Sequence, residues 1–370
     1  EFMKKIYLIL CALFLSSCFA VPSIIPTPAS LAFPTPIEML TPTMQNTSPS
    51  ALNATETNSP APTYAYAKVS QWDYNPVDWA AYDSSIENFP STQYEHIAVE
   101  SDGTVWVLAS GLGVVQMNQG NWKIIEPVDP QKGIPSSISL AENDGVWIGY
   151  TSRARSGMLS HFKDGKWTDF KNKFGLINAI AVTERFVWIA TDFSTWWFDR
   201  NEWNMNRAYP AIDLAATPTG EVWAALPDGL GFYDGNEWST YSLSKFNCVG
   251  GRGEVYAGVT SVAYSTDGNS VWFATVRCGL FHFYPDADKW DVYLLPSSVS
   301  DYPNNMLVAQ DGVIWMTPGI FCFDGSEWKT IRDFPAQRPL DIAQGPDGSL
   351  WIATLSDGIY QYKNPKCGND

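Results

Sequence analysis

Charged residues are scarce in this sequence, and basic residues are scarcer than acidic ones. Asp, Glu, Lys and Arg make up 17% of the 370 residues, with 23 Lys and Arg against 39 Asp and Glu, whereas about a quarter of an average chain is charged. The net charge of −16 repels nucleic acid, and no run of lysine or arginine opposes that repulsion. We therefore expect no nucleic-acid partner.

Histidine is also rare, which limits the chemistry open to the chain. It occurs only at His96, His161 and His282, and no two of these lie at ligand spacing. No cysteine spacing resembles a zinc site. We therefore assign no catalytic residue, no metal ligand and no cofactor, and an enzyme is the alternative to a binding protein rather than the first hypothesis.

No apolar run is long enough to span a bilayer, because residues 6–15 cover about half the required length. Two lysines precede this run and small residues follow it, which is the layout of a secretory signal peptide. Its end, Leu15-Ser16-Ser17-Cys18, resembles the lipobox of bacterial lipoproteins and implies a diacylglyceryl group on the Cys18 sulfur. We predict a signal peptide over residues 1–18 and an exported lipoprotein, at the cell surface or in the periplasm; an ordinary secreted protein is the alternative.

Residues 19–70 are rich in Pro, Thr, Ser, Ala and Asn and carry almost no charge. Their prolines interrupt any helix or strand period. We predict an extended linker with polyproline character that holds the folded part away from the membrane.

Tryptophan is abundant, with 17 copies, and it recurs regularly over residues 71–370. Segments such as GEVWAALPDGLGFYDGNEWSTYSL occur seven times, and their first Trp recurs at spacings of 41, 41, 35, 49, 43 and 36 residues, the period of β-propeller blades. Asp-Gly and Asn-Gly turns between short apolar runs predict four antiparallel strands, A to D, in each unit. The first tryptophans are Trp106, Trp147, Trp188, Trp223, Trp272, Trp315 and Trp351.

A second Trp follows in the first six units but not in the seventh, and Trp79 supplies the missing one from the other end of the repeat. An open ring would leave an unpaired strand edge, so we expect an N-terminal strand to complete the last blade. The sequence thus predicts an all-β, seven-bladed β-propeller, monomeric, with both rows of tryptophans packed between neighbouring blades.

The repeated pattern Asp-Gly, V-W-I-A-T, G-L-x-x-Y-D-G-x-x-W resembles the two-component-regulator propeller repeat. That family occurs in extracellular sensor parts of membrane histidine kinases and in exported proteins, so the resemblance implies a sensing or scaffolding module. The segment GPDGSLWIAT at residues 345–354 is also similar to streptogramin-lyase propellers. That class relies on histidines and a divalent metal, whereas this chain has only three histidines and no two of them lie at ligand spacing.

One face of such a propeller carries the loops from strand D to the next strand A and from B to C, here called the DA/BC face. Several arginines fall in these loops, and a guanidinium group donates paired hydrogen bonds to carboxylates and phosphates. An anionic ligand, a glycan or a protein is therefore the expected partner there. Local pairing with acids such as Asp192, Asp228 and Asp301 is the alternative. The predicted ligand-binding residues in these loops are Arg153, Arg155, Arg207, Tyr209, Arg252, Arg277 and Arg338.

The first residue of each strand A, approximately, is expected to point near the mouth of the central channel. Such a polar ring holds water or a cation such as Ca²⁺. The predicted channel-mouth residues are His96, Asn178, Asp213, Ser261, Asn305 and Asp341.

Four cysteines follow the linker. Cys248 and Cys278 fall on one face of blade five and are predicted disulfide partners in an oxidising exterior. Cys322 and Cys367 remain, and their spacing alone does not place them within bonding reach.

Three hypotheses of function follow. The first is a membrane-anchored extracellular binding or interaction module with its ligand on the arginine-bearing DA/BC face. The second is a lyase or hydrolase acting on polysaccharide, for which His96 with Asp341 is the nearest candidate pair. The third is a structural protein that assembles through its blade edges.

Overall fold

The chain folds as a seven-bladed β-propeller, as the sequence predicts. The structure, a computed structural model, describes residues 63–368 except for 66, 84–85, 87–88, 90–92, 128, 130, 153–156, 171–173, 207–209, 218, 247–257, 267, 277, 296–302 and 304. The predicted signal peptide, Cys18 and most of the predicted linker lie outside the described residues. Within them no helix is long and apolar enough to cross a membrane.

The strands are numbered in chain order. Three precede the first blade: β1 (Thr63–Ala65), β2 (Lys68–Asp73) and β3 (Trp79–Tyr82). Blade 1 contains β4 (Tyr94–Val99), β5 (Val105–Ala109), β6 (Gly113–Asn118) and β7 (Asn121–Pro127). Blade 2 contains β8 (Ile134–Ala141), β9 (Gly145–Thr151), β10 (Gly157–Lys163) and β11 (Lys166–Phe170). Blade 3 contains β12 (Ile177–Val182), β13 (Val187–Thr191), β14 (Thr195–Phe198) and β15 (Trp203–Asn206).

The remaining blades follow the same plan. Blade 4 contains β16 (Asp213–Ala216), β17 (Val222–Leu226), β18 (Gly229–Tyr233) and β19 (Trp238–Ser242). Blade 5 contains β20 (Val259–Tyr264), β21 (Val271–Thr275), β22 (Gly279–Tyr284) and β23 (Lys289–Tyr293). Blade 6 contains β24 (Met306–Val308), β25 (Ile314–Met316), β26 (Phe321–Phe323) and β27 (Glu327–Arg332), and blade 7 contains β28 (Pro339–Gln344), β29 (Leu350–Thr354) and β30 (Ile359–Tyr362). Short 3-10 helices lie at Pro76–Asp78, Ser244–Phe246 and Pro285–Ala287.

An N-terminal strand closes the ring, as predicted. Strand β3 pairs antiparallel with β30, so it serves as strand D of blade 7. The Trp79 ring stacks on Tyr362 with centroids 4.4 Å apart. Main-chain hydrogen bonds thereby join the two ends of the repeat and leave no open edge there.

Tryptophan packing holds each blade to the next. The strand-B Trp of every blade shares a buried cluster with the strand-D Trp of the following blade, and the predicted inter-blade role of both rows is confirmed. The seven pairs are Trp106 with Trp167, Trp147 with Trp203, Trp188 with Trp238, Trp223 with Trp290, Trp272 with Trp328, Trp315 with Trp79, and Trp351 with Trp122.

The predicted end of the linker, at residue 70, is wrong. Strand β1 adds in parallel to the outer edge of β23, and β2 adds in parallel to the outer edge of β27. Blades 5 and 6 therefore have five strands, and with β3 the N-terminal segment lines three consecutive blades. Trp72 anchors it, because its ring is 4% exposed and meets the Trp315 ring edge-on at 6.3 Å.

We predict that Trp72→Ala destabilises the propeller by about 3–5 kcal/mol, the usual effect of truncating a buried aromatic residue. Val69→Ala is the matched control, because Val69 lies in the same strand and is 44% exposed. Thermal and chemical denaturation compare the two variants. Equal effects would show that this strand is not packed on the core.

The turns between strands C and D repeat one hydrogen-bond pattern. The carboxylate of Asp234 accepts the N–H groups of Asn236 at 2.8 Å and Glu237 at 2.9 Å. In blade 6, Asp324 accepts the N–H groups of Ser326 and Glu327, and Lys329 lies 3.1 Å away. Partial burial opposes ionisation of Asp324, but these donors and the lysine hold its pKa at about 2.

Asp324 should therefore stabilise the fold above about pH 4, its ordinary pKa, and lose that contribution as the pH falls toward 2. We expect Asp324→Asn to cost about 1 kcal/mol at pH 7, after allowance for solvent screening, and much less at about pH 2. Thermal denaturation at both pH values measures the difference. Asp73→Asn is the control, because the Asp73 carboxylate is 70% exposed and meets Arg332 at 3.4 Å. A pH-independent effect would contradict the assignment.

Cys322 and Cys367 form a disulfide, with their Cα atoms 5.6 Å apart. It ties the tail after blade 7 to strand β26 of blade 6. The Lys329 ammonium also donates to the Cys367 carbonyl at 2.8 Å. Cys248 lies outside the described residues, so its pairing with Cys278 stays a prediction.

Candidate functional site

The DA/BC face carries a cavity of about 810 Å³ at the mouth of the central channel. We call it the channel-mouth cavity. Its wall is formed mainly by the beginnings of the A strands, with contributions from all seven blades. Its polar lining includes Glu95, His96, Ser136, Asn178, Asp213 and Asn305, and its apolar lining includes Ile134, Leu176, Ile177, Ile212, Pro303 and Leu340.

The structure places all six predicted channel-mouth residues around this cavity. His96, Asn178, Asp213 and Asn305 line it directly. Ser261 and Asp341 lie beside it, and each is bonded to one of the four lining residues. The sequence indicated these positions because each was expected near the start of a strand A, and each lies within the first three residues of such a strand or directly before it.

These polar side chains link the inner strands of neighbouring blades. Asn178 of blade 3 donates from Nδ2 to the Ala211 carbonyl at 3.0 Å, ahead of blade 4. Asn305 of blade 6 donates to the Leu340 carbonyl of blade 7 at 3.1 Å. Hydrogen bonds from side chains to main-chain carbonyls thus connect neighbouring blades around the channel, and they satisfy buried backbone groups.

Two aspartates make the same kind of link as acceptors. Asp213 of blade 4 accepts the Ser261 hydroxyl at 2.8 Å and the Val262 N–H at 3.0 Å from blade 5. Burial raises the pKa of Asp213 and outweighs the lowering effect of these donors, and the charge of Asp341 adds a smaller increase. The Asp213 carboxyl is therefore easier to protonate than an ordinary aspartate.

His96 and Asp341 meet across the ring closure, between blades 1 and 7. Their Nδ1 and Oδ2 atoms are 3.4 Å apart, and the same carboxylate accepts the Ile97 N–H at 3.0 Å. Burial alone would lower the pKa of His96. The Asp341 hydrogen bond and charge, with the charges of Glu95 and Asp213, raise it instead.

We predict that Asp341→Asn lowers the pKa of His96, because the amide keeps an acceptor oxygen but removes the charge. NMR titration of the imidazole measures the change, with His161 and His282 as internal references. Because the pKa of His96 is raised in the folded state, its contribution to stability is full below about pH 6.5, the ordinary histidine pKa. The contribution is lost as the pH rises through the raised pKa of the folded state. An unmoved His96 titration would show that Asp341 does not control it.

The other two histidines are packing residues. His161 stacks on Trp147 with centroids 4.0 Å apart, and His282 stacks on Trp272 at 3.7 Å. Among the described residues no group of three or more His, Cys, Asp or Glu side chains is arranged to hold a metal ion. The structure thus brings one His–Asp pair, His96 with Asp341, to the channel mouth.

The predicted arginine site falls largely outside the described residues. Arg153, Arg155, Arg207, Tyr209, Arg252 and Arg277 all lie there, so their convergence stays a prediction. Arg338 is described: it is exposed on the DA/BC face just before β28, and its carbonyl accepts the Leu355 N–H at 3.2 Å.

A buried polar network that the sequence did not indicate lies between blades 1 and 2. The Lys132 ammonium, 9% exposed, contacts Glu126 and lies 2.6 Å from Asp169. Tyr150 donates to Glu126, and Ser160 donates to Asp169 at 2.7 Å. Burial would lower the pKa of Lys132, but the two carboxylates raise it, so the lysine is a charged structural link and not a base. Its partners come from three strands, and no local pattern in the sequence signals that meeting.

The fold and the cavity define the class of protein as a seven-bladed β-propeller with a ligand-sized depression on its DA/BC face. No protein-family model matches the sequence, and no curated protein matches it.

Solved structures show the same fold at low identity. Streptogramin B lyase is 16% identical over 76% of this chain and 96% of the lyase, with a TM-score of 0.63. The extracellular domain of a putative hybrid two-component system from B. thetaiotaomicron is 11% identical over 78% of this chain, with a TM-score of 0.62. This chain spans 40% of that domain's length. YCF48 bound to D1 peptide is 15% identical over 82% of this chain and 100% of that chain, with a TM-score of 0.58.

Proposed function

We propose that this protein is an exported binding module, of a sensing or scaffolding type, whose ligand occupies the channel-mouth cavity on the DA/BC face. The cavity itself is the observation that carries this proposal. Its volume of about 810 Å³ and its mixed polar and apolar lining match those of small-molecule sites, which commonly combine apolar walls with a few placed polar groups.

Two further observations support a role outside the cytoplasm. The fold is shared with the extracellular domain of a two-component system, and residues 1–18 have the pattern of a lipoprotein signal peptide. The proposal therefore includes attachment to a membrane through Cys18, with the linker as spacer. We further propose that Arg338 and the five other arginines predicted in the DA/BC loops add contacts to a protein or glycan.

Catalysis is the competing proposal, and the His96–Asp341 pair is the one observation in its favour. The fold is that of streptogramin B lyase, and a histidine oriented by a carboxylate is a common general base. Against it, Asp341 also accepts the N–H groups of Ile97 and Ile342, so its oxygens already serve the ring closure. We therefore favour binding.

A cavity-filling variant tests the proposal. Ile212 lines the cavity and is 43% exposed, so Ile212→Trp should fill the site without disturbing the core. Thermal-shift screening of organic acids, amines and oligosaccharides should identify ligands of the wild type. The variant should bind them at least about tenfold more weakly, because the indole occupies the volume that they need.

The control places the same aromatic ring on the opposite face. Val77 is 80% exposed in the 3-10 helix Pro76–Asp78, where strand β3 begins, so Val77→Trp should bind as the wild type does. Ligands that bind both variants equally would place the binding site elsewhere and overturn the proposal.

A further inference from the structure

Many side-chain donors that line the channel-mouth cavity already donate hydrogen bonds to other groups of the protein. The Nδ2 groups of Asn178 and Asn305 donate to backbone carbonyls at 3.0 and 3.1 Å. The Ser136 hydroxyl donates to the Ile177 carbonyl at 3.0 Å. Each amide nitrogen keeps a second N–H, but the amide oxygens have two lone pairs and the hydroxyl oxygen keeps acceptor capacity after donating, so these residues offer a ligand more acceptor than donor capacity.

The two threonines of the lining follow the same rule. Thr151 donates to the Ser136 hydroxyl oxygen at 3.1 Å, and Thr260 donates to the Ala274 carbonyl at 3.3 Å. These bonds use the hydroxyl donors of Ser136, Thr151 and Thr260 and one N–H of each asparagine, so the side chains of the wall offer more acceptors than donors. A ligand that carries several hydrogen-bond donors is therefore the better complement to this wall.

Acidic residues predominate around the cavity, and like the acceptor oxygens they attract hydrogen-bond donors. Glu95 and Asp213 line it, and Asp341 stands behind His96. In the described part of the chain, neither lysine nor arginine lines the cavity. His96 is the cationic group there when protonated, and its charge then faces that of Asp341.

An apolar arc occupies one side of the mouth. Ile134 of blade 2, Leu176 before blade 3 and Ile212 before blade 4 come from consecutive positions around the ring. Ile134 and Ile212 are 45% and 43% exposed. Neighbouring exposed aliphatic side chains at the rim of a cavity are typical of a binding surface, and they require an apolar portion in the ligand.

We propose that the channel-mouth cavity binds a small amphipathic cation, in which a primary ammonium group is joined to an apolar body. The apolar body lies on the arc of Ile134, Leu176 and Ile212. The ammonium donates to Glu95 of blade 1 and to the amide oxygen of Asn305 of blade 6. This inference rests on the proposed function, since it names the ligand class of the same site, and it competes with the anionic ligand that the arginine content of the loops favours.

Three probes with one apolar body and different head groups test the proposal on the full chain. They are 3-phenylpropylamine, 3-phenylpropan-1-ol and 3-phenylpropanoate, titrated by calorimetry or ligand-observed NMR at low ionic strength. The amine should bind at least about tenfold more tightly than the alcohol, and the carboxylate should bind most weakly. Added salt should weaken the amine selectively, because it screens the charge interaction.

A single charge variant locates the effect. Glu95→Gln should weaken amine binding by about fivefold, as expected for a partly exposed ion pair, and leave the alcohol unchanged. Glu202→Gln is the matched control, because Glu202 is exposed in the turn between strands C and D of blade 3, on the opposite face. Equal weakening by both variants would show a general effect of net charge and overturn the assigned contact.

The outcomes separate the ligand class from the binding function. If the carboxylate binds best and Ile212→Trp abolishes that binding, the cavity is a ligand site but the ammonium proposal is wrong. If the amine binds equally well to the wild type and to Ile212→Trp, both the location and the ligand class are wrong. If none of the probes binds, the inference is overturned. The thermal-shift screen then tests the proposed function independently of this inference.

Discussion

Packing of aromatic side chains between blades is the interaction on which this propeller depends. The strand-B Trp of one blade and the strand-D Trp of the next belong to a single cluster at all seven junctions. No blade therefore buries its own faces, since each needs the blade on either side. Closure through β3 supplies the last of these junctions, where Trp315 shares a cluster with Trp79.

The two ends of the described chain are both fixed to the last three blades. On the N-terminal side, β1, β2 and β3 follow the outer edges of blades 5, 6 and 7 in turn. On the C-terminal side, the Cys322–Cys367 disulfide holds the tail against blade 6. Edge strands that would otherwise be exposed in blades 5 and 6 are thereby covered, which limits pairing with other chains.

The inner ring links stability to the character of the candidate site. Hydrogen bonds from Asn178, Asn305 and Ser136 to the next blade satisfy backbone carbonyls near the channel. The same bonds use several donors of the cavity wall, so acceptor oxygens and carboxylates predominate there. The chemistry offered to a ligand is therefore a consequence of how the blades are held together, and a substitution here affects both.

The sequence by itself determined the blade count, the strand order and the closure, because these depend on local signals that repeat: a Trp in strands B and D and an Asp-Gly or equivalent turn before them. It also indicated the ring of His96, Asp213 and Asp341, since position within a strand decides which end of the channel a residue reaches. Only the tertiary structure decided that residues 63–65 and 68–73 add to blades 5 and 6, because a parallel edge strand is defined by its partner and carries little pattern of its own. The same holds for the Lys132 network, the Cys322–Cys367 bond and the donor-poor cavity wall, which depend on side chains that are far apart in the chain and meet only when the ring is closed.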